Sequence, residues 1–117
     1  MKVTVIKNML MAQDASRAIK FYRGVFGFGL KFESDHWSEL TTGDCVIALH
    51  GGHDGSPNRV SLSIEVDDVR TAMQTVLDHG GYEIVAPVHR EGEPIIYSEF
   101  ADSEGNIVML TQYVGDA

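Results

Sequence analysis

The stretch Trp37-Ser38-Glu39-Leu40 decides the fold of this chain, because it returns 60 residues later as Tyr97-Ser98-Glu99-Phe100. Two further pairs of similar segments occur in the same order. They are Val46-Ile47-Ala48-Leu49 with Ile107-Val108-Met109-Leu110, and Asp14-Ala15-Ser16-Arg17-Ala18-Ile19 with Asp68-Val69-Arg70-Thr71-Ala72-Met73. A chain whose halves repeat in this way is predicted to be two copies of one supersecondary unit. The copies must bury their apolar faces together, so we expect a binding site where they meet.

The composition is that of one globular domain. The chain has 117 residues, 44% hydrophobic and 22% charged, which is enough to bury a substantial core. Its formal net charge of −8 argues against nucleic acid, because phosphate binding needs a basic face. The same charge favours cationic over anionic ligands.

Sequence features bearing on location predict a cytoplasmic protein. No apolar run approaches the roughly 20 residues that a membrane-spanning helix needs, and residues 1–7 lack the apolar core of a signal peptide. Cys45 is the only cysteine, which fits a reducing compartment. We expect Cys45 to pack as a small hydrophobic residue.

Hydrophobic periodicity predicts the order β-α-β-β-β in each half. In the first half, strands are predicted at 3–11, 30–33, 37–41 and 45–50, with a helix capped by Asp14 and ending before Gly27. In the second half, strands are predicted at 60–66, 83–88, 95–101 and 107–113, with a helix capped by Asp67 or Asp68 and ending near His79. The first module is expected to span about 1–51 and the second about 60–117, joined by a polar loop at 52–59.

Several segments of the chain match a known family. They are Asp14–Ala18, Phe21-Tyr22-Arg23, Val25-Phe26-Gly27-Phe28, Val66-Asp67-Asp68-Val69 and Asp102-Ser103-Glu104-Gly105-Asn106. With them the chain resembles the vicinal-oxygen-chelate superfamily, which includes glyoxalases, bleomycin-resistance proteins and extradiol dioxygenases. The resemblance implies an α+β fold of two βαβββ modules that form an open eight-stranded cleft, with the helices on the outer face. It also implies a homodimer.

The same resemblance predicts that the metal site is absent. Metal-dependent members of the superfamily place a ligand in each of the first, fourth, fifth and eighth strands. The corresponding residues in this chain are Lys7, Ala48, Ser61 and Met109. An ammonium, a methyl, a neutral hydroxyl and a thioether do not make a site for a divalent cation of this chemistry. We therefore expect no cofactor.

Strand alternation predicts what lines the cleft instead. Trp37 and Glu39 of the first module should share a face, as should Tyr97 and Glu99 of the second. Met9, Met11 and Met109 are expected to add an adaptable apolar lining, and His50 to reach the rim. Aromatic rings stack on flat ligands and attract cations, while carboxylates bind amines.

This lining predicts a metal-independent small-molecule binding protein that sequesters an aromatic or cationic compound. The bleomycin-resistance branch, to which the cleft is similar, binds a cationic drug in this manner. The expected partners are a small-molecule ligand and a second copy of the chain.

Three alternatives remain open at this point. One is a glyoxalase- or dioxygenase-like enzyme (a lyase, isomerase or oxygenase), with Glu39 and Glu99 as general acid and base or with a displaced metal at His50. Another is a vestigial cleft, the dimer surface being the functional part. In the third, the aromatic residues are structural and the glutamates pair with Lys31 or Arg90. Lys7 could form a Schiff base, or it could neutralise a nearby glutamate.

Overall fold

The computed structural model describes residues 1–115 and contains two modules of the order β-α-β-β-β. The first comprises β1 (Lys7–Met11), α1 (Ala15–Phe26), β2 (Gly29–Phe32), β3 (Trp37–Thr42) and β4 (Cys45–His50). The second comprises β5 (Asn58–Glu65), α2 (Val69–Asp78), β6 (Tyr82–His89), β7 (Ile95–Ala101) and β8 (Asn106–Tyr113). The predicted order of elements and the α+β class are confirmed. Residues 116 and 117 of the predicted second module lie outside the described residues.

Each module forms its own four-stranded sheet. The strand orders are β1-β4-β3-β2 and β5-β8-β7-β6. The first strand of each module pairs with the last in parallel, whereas the other pairs are antiparallel. The repeated sequences occupy equivalent positions, because Glu39 lies opposite Ala48 and Glu99 lies opposite Met109. The sequence repeat is therefore a repeat in three dimensions.

Both helices begin at the aspartates that the repeat contains. The Asp14 carboxylate accepts a hydrogen bond from the backbone N–H of Arg17 (3.0 Å), and the Asp68 carboxylate accepts one from that of Thr71 (3.1 Å). Such N-caps satisfy amide groups that lack a partner inside the helix. Helix α1 ends at Gly27, whose φ of 70° is left-handed.

The helices cover one face of the sheets, and the two modules share a single core. Leu10, Ile47 and Leu49 of the first sheet are buried, as predicted for residues beneath a helix. The ring of Phe21 on α1 lies 6.0 Å from that of Phe100 on β7, measured between centroids. The core therefore crosses the boundary between the modules, which buries the apolar faces of both.

The predicted start of the first strand was wrong. The sequence predicts a strand from residue 3, but β1 begins at Lys7, and residues 1–6 are exposed. Lys7 pairs with Val46, and β4 begins only one residue earlier. The β-branched residues before Lys7 therefore have almost no partner strand to pair with.

Two further predictions need correction at strand ends. The second module's first strand starts at Asn58 rather than at residue 60, because Asn58 pairs with Asn106 and donates its backbone N–H to Gly105 O (2.8 Å). Cys45 is exposed rather than packed. It is the first residue of β4, opposite Thr42 at the hairpin end, and it borders a cavity instead of packing closely against its neighbours.

The turn at residues 102–106, which we call the joint turn, ties the second module to the first through Glu104. The Glu104 side chain is fully buried and accepts hydrogen bonds from the backbone N–H groups of Gln13 (3.0 Å) and Asp14 (2.8 Å). It also accepts a charge-assisted bond from Arg17 Nε (2.8 Å). Burial acts to raise the pKa of Glu104, but these bonds outweigh burial and the pKa is lowered.

Asn106 and Asp102 complete the joint turn. The Asn106 amide accepts from Met11 N (3.0 Å) and donates to Met11 O (2.7 Å), so it pairs with the end of β1 as another strand would. Asp102 accepts from Tyr22 Oη (2.6 Å) and from Asn106 Nδ2 (2.8 Å). Burial raises the pKa of Asp102 in spite of these bonds. The joint turn is thus a buried polar connection between the modules.

Candidate functional site

The side chains that point away from the helices form a surface that we call the strand face. Strand register defines it, since Trp37 lies opposite His50 and Glu39 lies opposite Ala48, in the same rows as Met11 and Met9. In the first module it carries Lys7, Met9, Met11, Phe32, Trp37, Glu39, Ala48 and His50. In the second it carries Arg59, Ser63, Val88, Tyr97, Glu99, Met109 and Tyr113.

In the first module, Glu39 binds three side chains in what we call the Trp37 cluster. Glu39 Oε2 accepts hydrogen bonds from Lys7 Nζ (2.7 Å) and from Trp37 Nε1 (2.7 Å). Lys31 Nζ lies 3.6 Å from Glu39 Oε1. The hydrogen bonds from Lys7 and then Trp37 lower the pKa of Glu39 to about 2. Glu39 is therefore ionised at every physiological pH, and its charge is neutralised within the chain.

The second module repeats the arrangement in what we call the Tyr97 cluster. Glu99 Oε1 accepts from Arg59 NH1 (2.6 Å), and Glu99 Oε2 accepts from the Tyr97 hydroxyl. The Arg90 guanidinium carbon lies 4.9 Å from the centroid of the Tyr97 ring, in cation–π geometry. Each module thus combines an aromatic ring, a carboxylate and two cations.

Arg59 is one residue of this site that sequence reasoning missed. Lys7 lies opposite Val46, and Arg59 lies opposite Ile107, which is the equivalent position in the second sheet. The register of β5 shifts between Arg59 and Ser63. From the sequence, we assign Ser61 to the position equivalent to Lys7 by counting residues back from the start of each helix. That count fails because the register shift leaves no trace in the sequence pattern. A search for a basic residue in the first strand of each module would have found Arg59.

The clusters do not support the predicted acid–base pair. Glu39 and Glu99 each bind side chains of their own module. A general acid at neutral pH needs a raised pKa, whereas that of Glu39 is lowered. Of the cations expected to pair with these glutamates, Lys31 lies near Glu39, whereas Arg90 lies on the Tyr97 ring and Arg59 binds Glu99. Lys7 forms an ion pair with Glu39, which agrees with the prediction that Lys7 neutralises a nearby glutamate.

Exposed apolar side chains surround both clusters. Met9 and Phe32 in the first module are 51% and 53% exposed, and Met109 in the second is 38% exposed. Phe32 lies opposite Glu39 and was not predicted as a site residue. Large apolar groups that remain exposed together mark surfaces that bind something. Ala48 beneath them is fully buried.

The residues present do not fit a divalent metal. The expected ligand positions hold Lys7, Ala48, Ser61 and Met109, and the register places Arg59 rather than Ser61 opposite the eighth strand. Within residues 1–115, no three His, Cys, Asp or Glu side chains come together as a metal site would require. His50 Nδ1 lies 2.8 Å from the carbonyl oxygen of Gly51. A displaced metal at His50 therefore has no ligand set in the described part of the chain.

A cavity of about 350 Å³ lies at the boundary between the modules, on the helix side of the sheets. Its walls include Asn8 of β1 at one side, and the apolar residues Phe26, Phe28, Ile47, Leu62, Ile64 and Val66. None of the predicted ligand-binding residues lines it. The predicted site and this cavity are thus separate features of the molecule.

The sequence of the chain matches a known family over most of its length. Residues 4–110 match the model of the Glyoxalase/Bleomycin resistance protein/Dioxygenase superfamily. The chain belongs to this superfamily. The match covers nearly the whole chain and agrees with the resemblance drawn from its sequence segments. A comparison with curated protein sequences found no significant match.

Among the helices that the structure describes, none has both the length and the apolar character to span a bilayer.

Solved structures of the superfamily share the architecture of the chain. A family enzyme from Burkholderia phytofirmans PsJN has a TM-score of 0.74 at 20% identity, covering 90% of this chain and 94% of its own. The fosfomycin resistance protein FosX from Listeria monocytogenes has 0.76 at 12% identity, covering 96% and 94%. A protein from the mobile metagenome of V. Pseudocholerae has 0.67 at 27% identity, covering 97% of both chains. At 12% and 20% identity, the first two likenesses establish the fold alone.

Proposed function

We propose that the chain is a metal-independent small-molecule binding protein that holds a flat aromatic compound against the strand face. The observation that carries this proposal is the pair of equivalent clusters, in which Trp37 and Tyr97 are each fixed by a carboxylate of their own module. We place the protein in the cytoplasm as a homodimer, which would present four clusters in all. A role for the dimer surface alone would leave the half-buried rings of the two clusters unexplained.

The first argument is that the Trp37 ring is held in place before any ligand arrives. Its Nε1–H donates to Glu39, and the same carboxylate oxygen accepts from Lys7. A fixed ring loses little conformational entropy on binding, so more of the stacking energy appears as affinity. Stacking and cation–π contacts contribute about 0.5–2 kcal/mol each.

The second argument concerns the apolar surroundings of the rings. Met9 and Met109 are exposed on the same face as the clusters, and methionine adapts its shape to irregular ligands. Because both carboxylates are engaged within the chain, the aromatic half of the predicted ligand class is better supported than the cationic half.

Metal independence rests on donor chemistry. The ammonium of Lys7 and the guanidinium of Arg59 occupy equivalent positions in the two sheets. Neither group coordinates a divalent cation, and each instead holds a glutamate that would otherwise be a donor. Glyoxalase- or dioxygenase-like chemistry through Glu39 and Glu99 gains no comparable support.

The test is a screen of aromatic compounds by quenching of Trp37 fluorescence, since Trp37 is the only tryptophan. For a compound so found, calorimetric titration of the Trp37→Ala/Tyr97→Ala double variant should show affinity at least tenfold weaker, about 1.4 kcal/mol. Leu77→Ala, which removes an exposed apolar side chain from α2, is the matched control and should bind normally. Unchanged affinity in the double variant would place the ligand elsewhere.

A further inference from the structure

We propose that the strand face selects an anionic ligand, with the oxyanion of a flat aromatic acid bound by Lys7 and Lys31 while its ring lies against Trp37. This inference rests on the proposed function and specifies the charge of the compound. It reverses the preference for cations that the overall charge of the chain suggests.

The charges of the Trp37 cluster do not cancel. One carboxylate, Glu39, faces two ammonium groups, Lys7 at 2.7 Å and Lys31 at 3.6 Å. The cluster therefore carries one surplus positive charge. Each ammonium has three N–H donors, and Lys7 uses one of them on Glu39. The remaining donors are available to an incoming oxyanion.

Exposure decides which sign of charge a ligand meets. The Glu39 side chain is 10% exposed, whereas those of Lys7 and Lys31 are 35% and 53% exposed. A compound approaching the strand face therefore contacts the two ammonium groups before it can reach the carboxylate. A cationic compound would have to displace a lysine from Glu39, but an anionic compound would not.

The ring and the cations are also suitably spaced. Lys7 Nζ lies 5.6 Å from the centroid of the Trp37 ring. A planar acid whose ring lies against Trp37 and whose oxyanion accepts from Lys7 would contact both groups at once, with each charge-assisted hydrogen bond at about 2.7–2.9 Å. Because Lys7 and Trp37 bind the same oxygen of Glu39, their relative position is fixed.

The Tyr97 cluster has the same composition, but its cation lies closer to the ring than Lys7 lies to Trp37. Arg90 lies against the face of Tyr97 at 4.9 Å, and Arg59 binds Glu99. We therefore assign the ligand's ring to Trp37. The net charge of −8 does not oppose this choice, because screening limits exposed charges to about 8 Å at physiological ionic strength.

The experiment compares probes of one shape and different charge. 4-Nitrobenzoate, 4-nitrobenzyl alcohol and 4-nitrobenzylamine are titrated while quenching of Trp37 fluorescence is followed, and 4-nitrophenyl phosphate shows whether a phosphate replaces the carboxylate. The benzoate should bind at least tenfold more tightly than the amine. In Lys31→Met its affinity should fall at least fivefold while that of the alcohol is unchanged. Lys20→Met, which removes an exposed lysine from α1, should behave as the unmodified protein does.

Each outcome has a distinct meaning. Tighter binding of the amine, or equal binding of all the probes, would overturn the anionic preference and leave the proposed aromatic site standing. A benzoate affinity that is the same in Lys31→Met would overturn the assignment of Lys31. If none of the probes quenched Trp37 at millimolar concentration, both this inference and its foundation in the proposed function would fail. Preferential binding of the phosphate over the benzoate would identify the oxyanion as a phosphate.

Discussion

At the scale of single residues, Glu39 determines the character of the site. It is a nearly buried carboxylate on an exposed face, and Lys7, Lys31 and Trp37 surround it. A charge in such a place persists only when partners replace its lost hydration. Glu39 therefore acts as an anchor that fixes a ring and two cations, rather than as a group that meets the ligand.

The lowered pKa of Glu39 predicts an acid transition that Trp37 reports. Folding depresses this pKa from 4.5 to about 2, so the stabilisation from ionised Glu39 is complete above pH 4.5 and is lost as the pH falls towards 2. Trp37 emission should change as the pH falls through about 2, the pKa of Glu39 in the folded protein, and should not in Glu39→Gln. Glu99→Gln, which changes the other module's cluster, is the control and should retain the transition. Identical titrations of the two variants would contradict the assignment.

At the scale of elements, the joint turn depends on a glycine. Gly105 has a φ of +90°, which side chains disfavour, and an added Cβ would lie 2.9 Å from the carbonyl oxygen of Gly55. The turn thus brings two backbone segments closer than any side chain permits. This close approach explains why a glycine stands between Glu104 and Asn106, whose side chains make the connections to the first module.

Substitution of Gly105 can separate the cost of its positive φ from the cost of the contact with Gly55. Gly105→Ala should lower the free energy of unfolding by about 2–4 kcal/mol, the sum of strain at positive φ and the contact with Gly55. Gly92→Ala is the matched control, because Gly92 has a φ of +82° with nothing within 4 Å, and it should cost about 1 kcal/mol. Urea unfolding of both variants measures the difference. Equal losses of unfolding free energy in the two variants would show that the contact with Gly55 relaxes without cost.

The order of elements and the helix caps were within reach of the sequence, and the reasons are local. Asp14 and Asp68 were identified as caps, Asp68 as one of two candidates, and the repeat correctly equated Glu39 with Glu99. Arg59 was missed because a register shift in β5 has no periodic signature. The role of Glu104 depends on contacts about 90 residues away, and no local pattern reports such distant partners.

At the scale of the whole molecule, the two modules are held by a shared core and by the joint turn. Asn106 bonds to both the N–H and the C=O of Met11, and it accepts from Asn58 Nδ2 (3.0 Å). These groups are buried or nearly so, which makes an unsatisfied partner expensive. The joint turn thus adds polar specificity where apolar packing alone would tolerate sliding.

Removal of Asn106 should loosen one defined amide. Asn106→Ala removes the side-chain partners of the Met11 N–H and C=O and one of several hydrogen bonds to Asp102, and it should cost about 2–4 kcal/mol of unfolding free energy. Hydrogen exchange of the Met11 amide should become faster by more than the global loss of stability explains. Asn58→Ala removes only one bond to the same side chain and should change little. Unaltered Met11 protection in Asn106→Ala would show that the bond is dispensable.

The outer edge strands of both sheets are the surfaces through which we expect the proposed homodimer to form. Among residues 1–115, β2 pairs only with β3 and β6 pairs only with β7, and Leu30 and Ile84 on these strands are exposed. Unprotected edge strands with apolar residues favour association. Sedimentation velocity should show a dimer that Leu30→Lys/Ile84→Lys converts to a monomer, while Leu77→Lys on α2 leaves it intact. A dimer that persists in the double variant would use another surface.

The boundary between β1 and β5 is built differently at its two ends. Beside Met11 the joint turn fastens it with buried hydrogen bonds, whereas beside Asn8 the cavity of about 350 Å³ leaves it open. We expect thermal fluctuations that part the sheets to begin at the Asn8 end, where no such hydrogen bonds have to break, and to turn about Asn106. Such an opening would change the angle between the sheets, and with it the distance between the Trp37 and Tyr97 clusters.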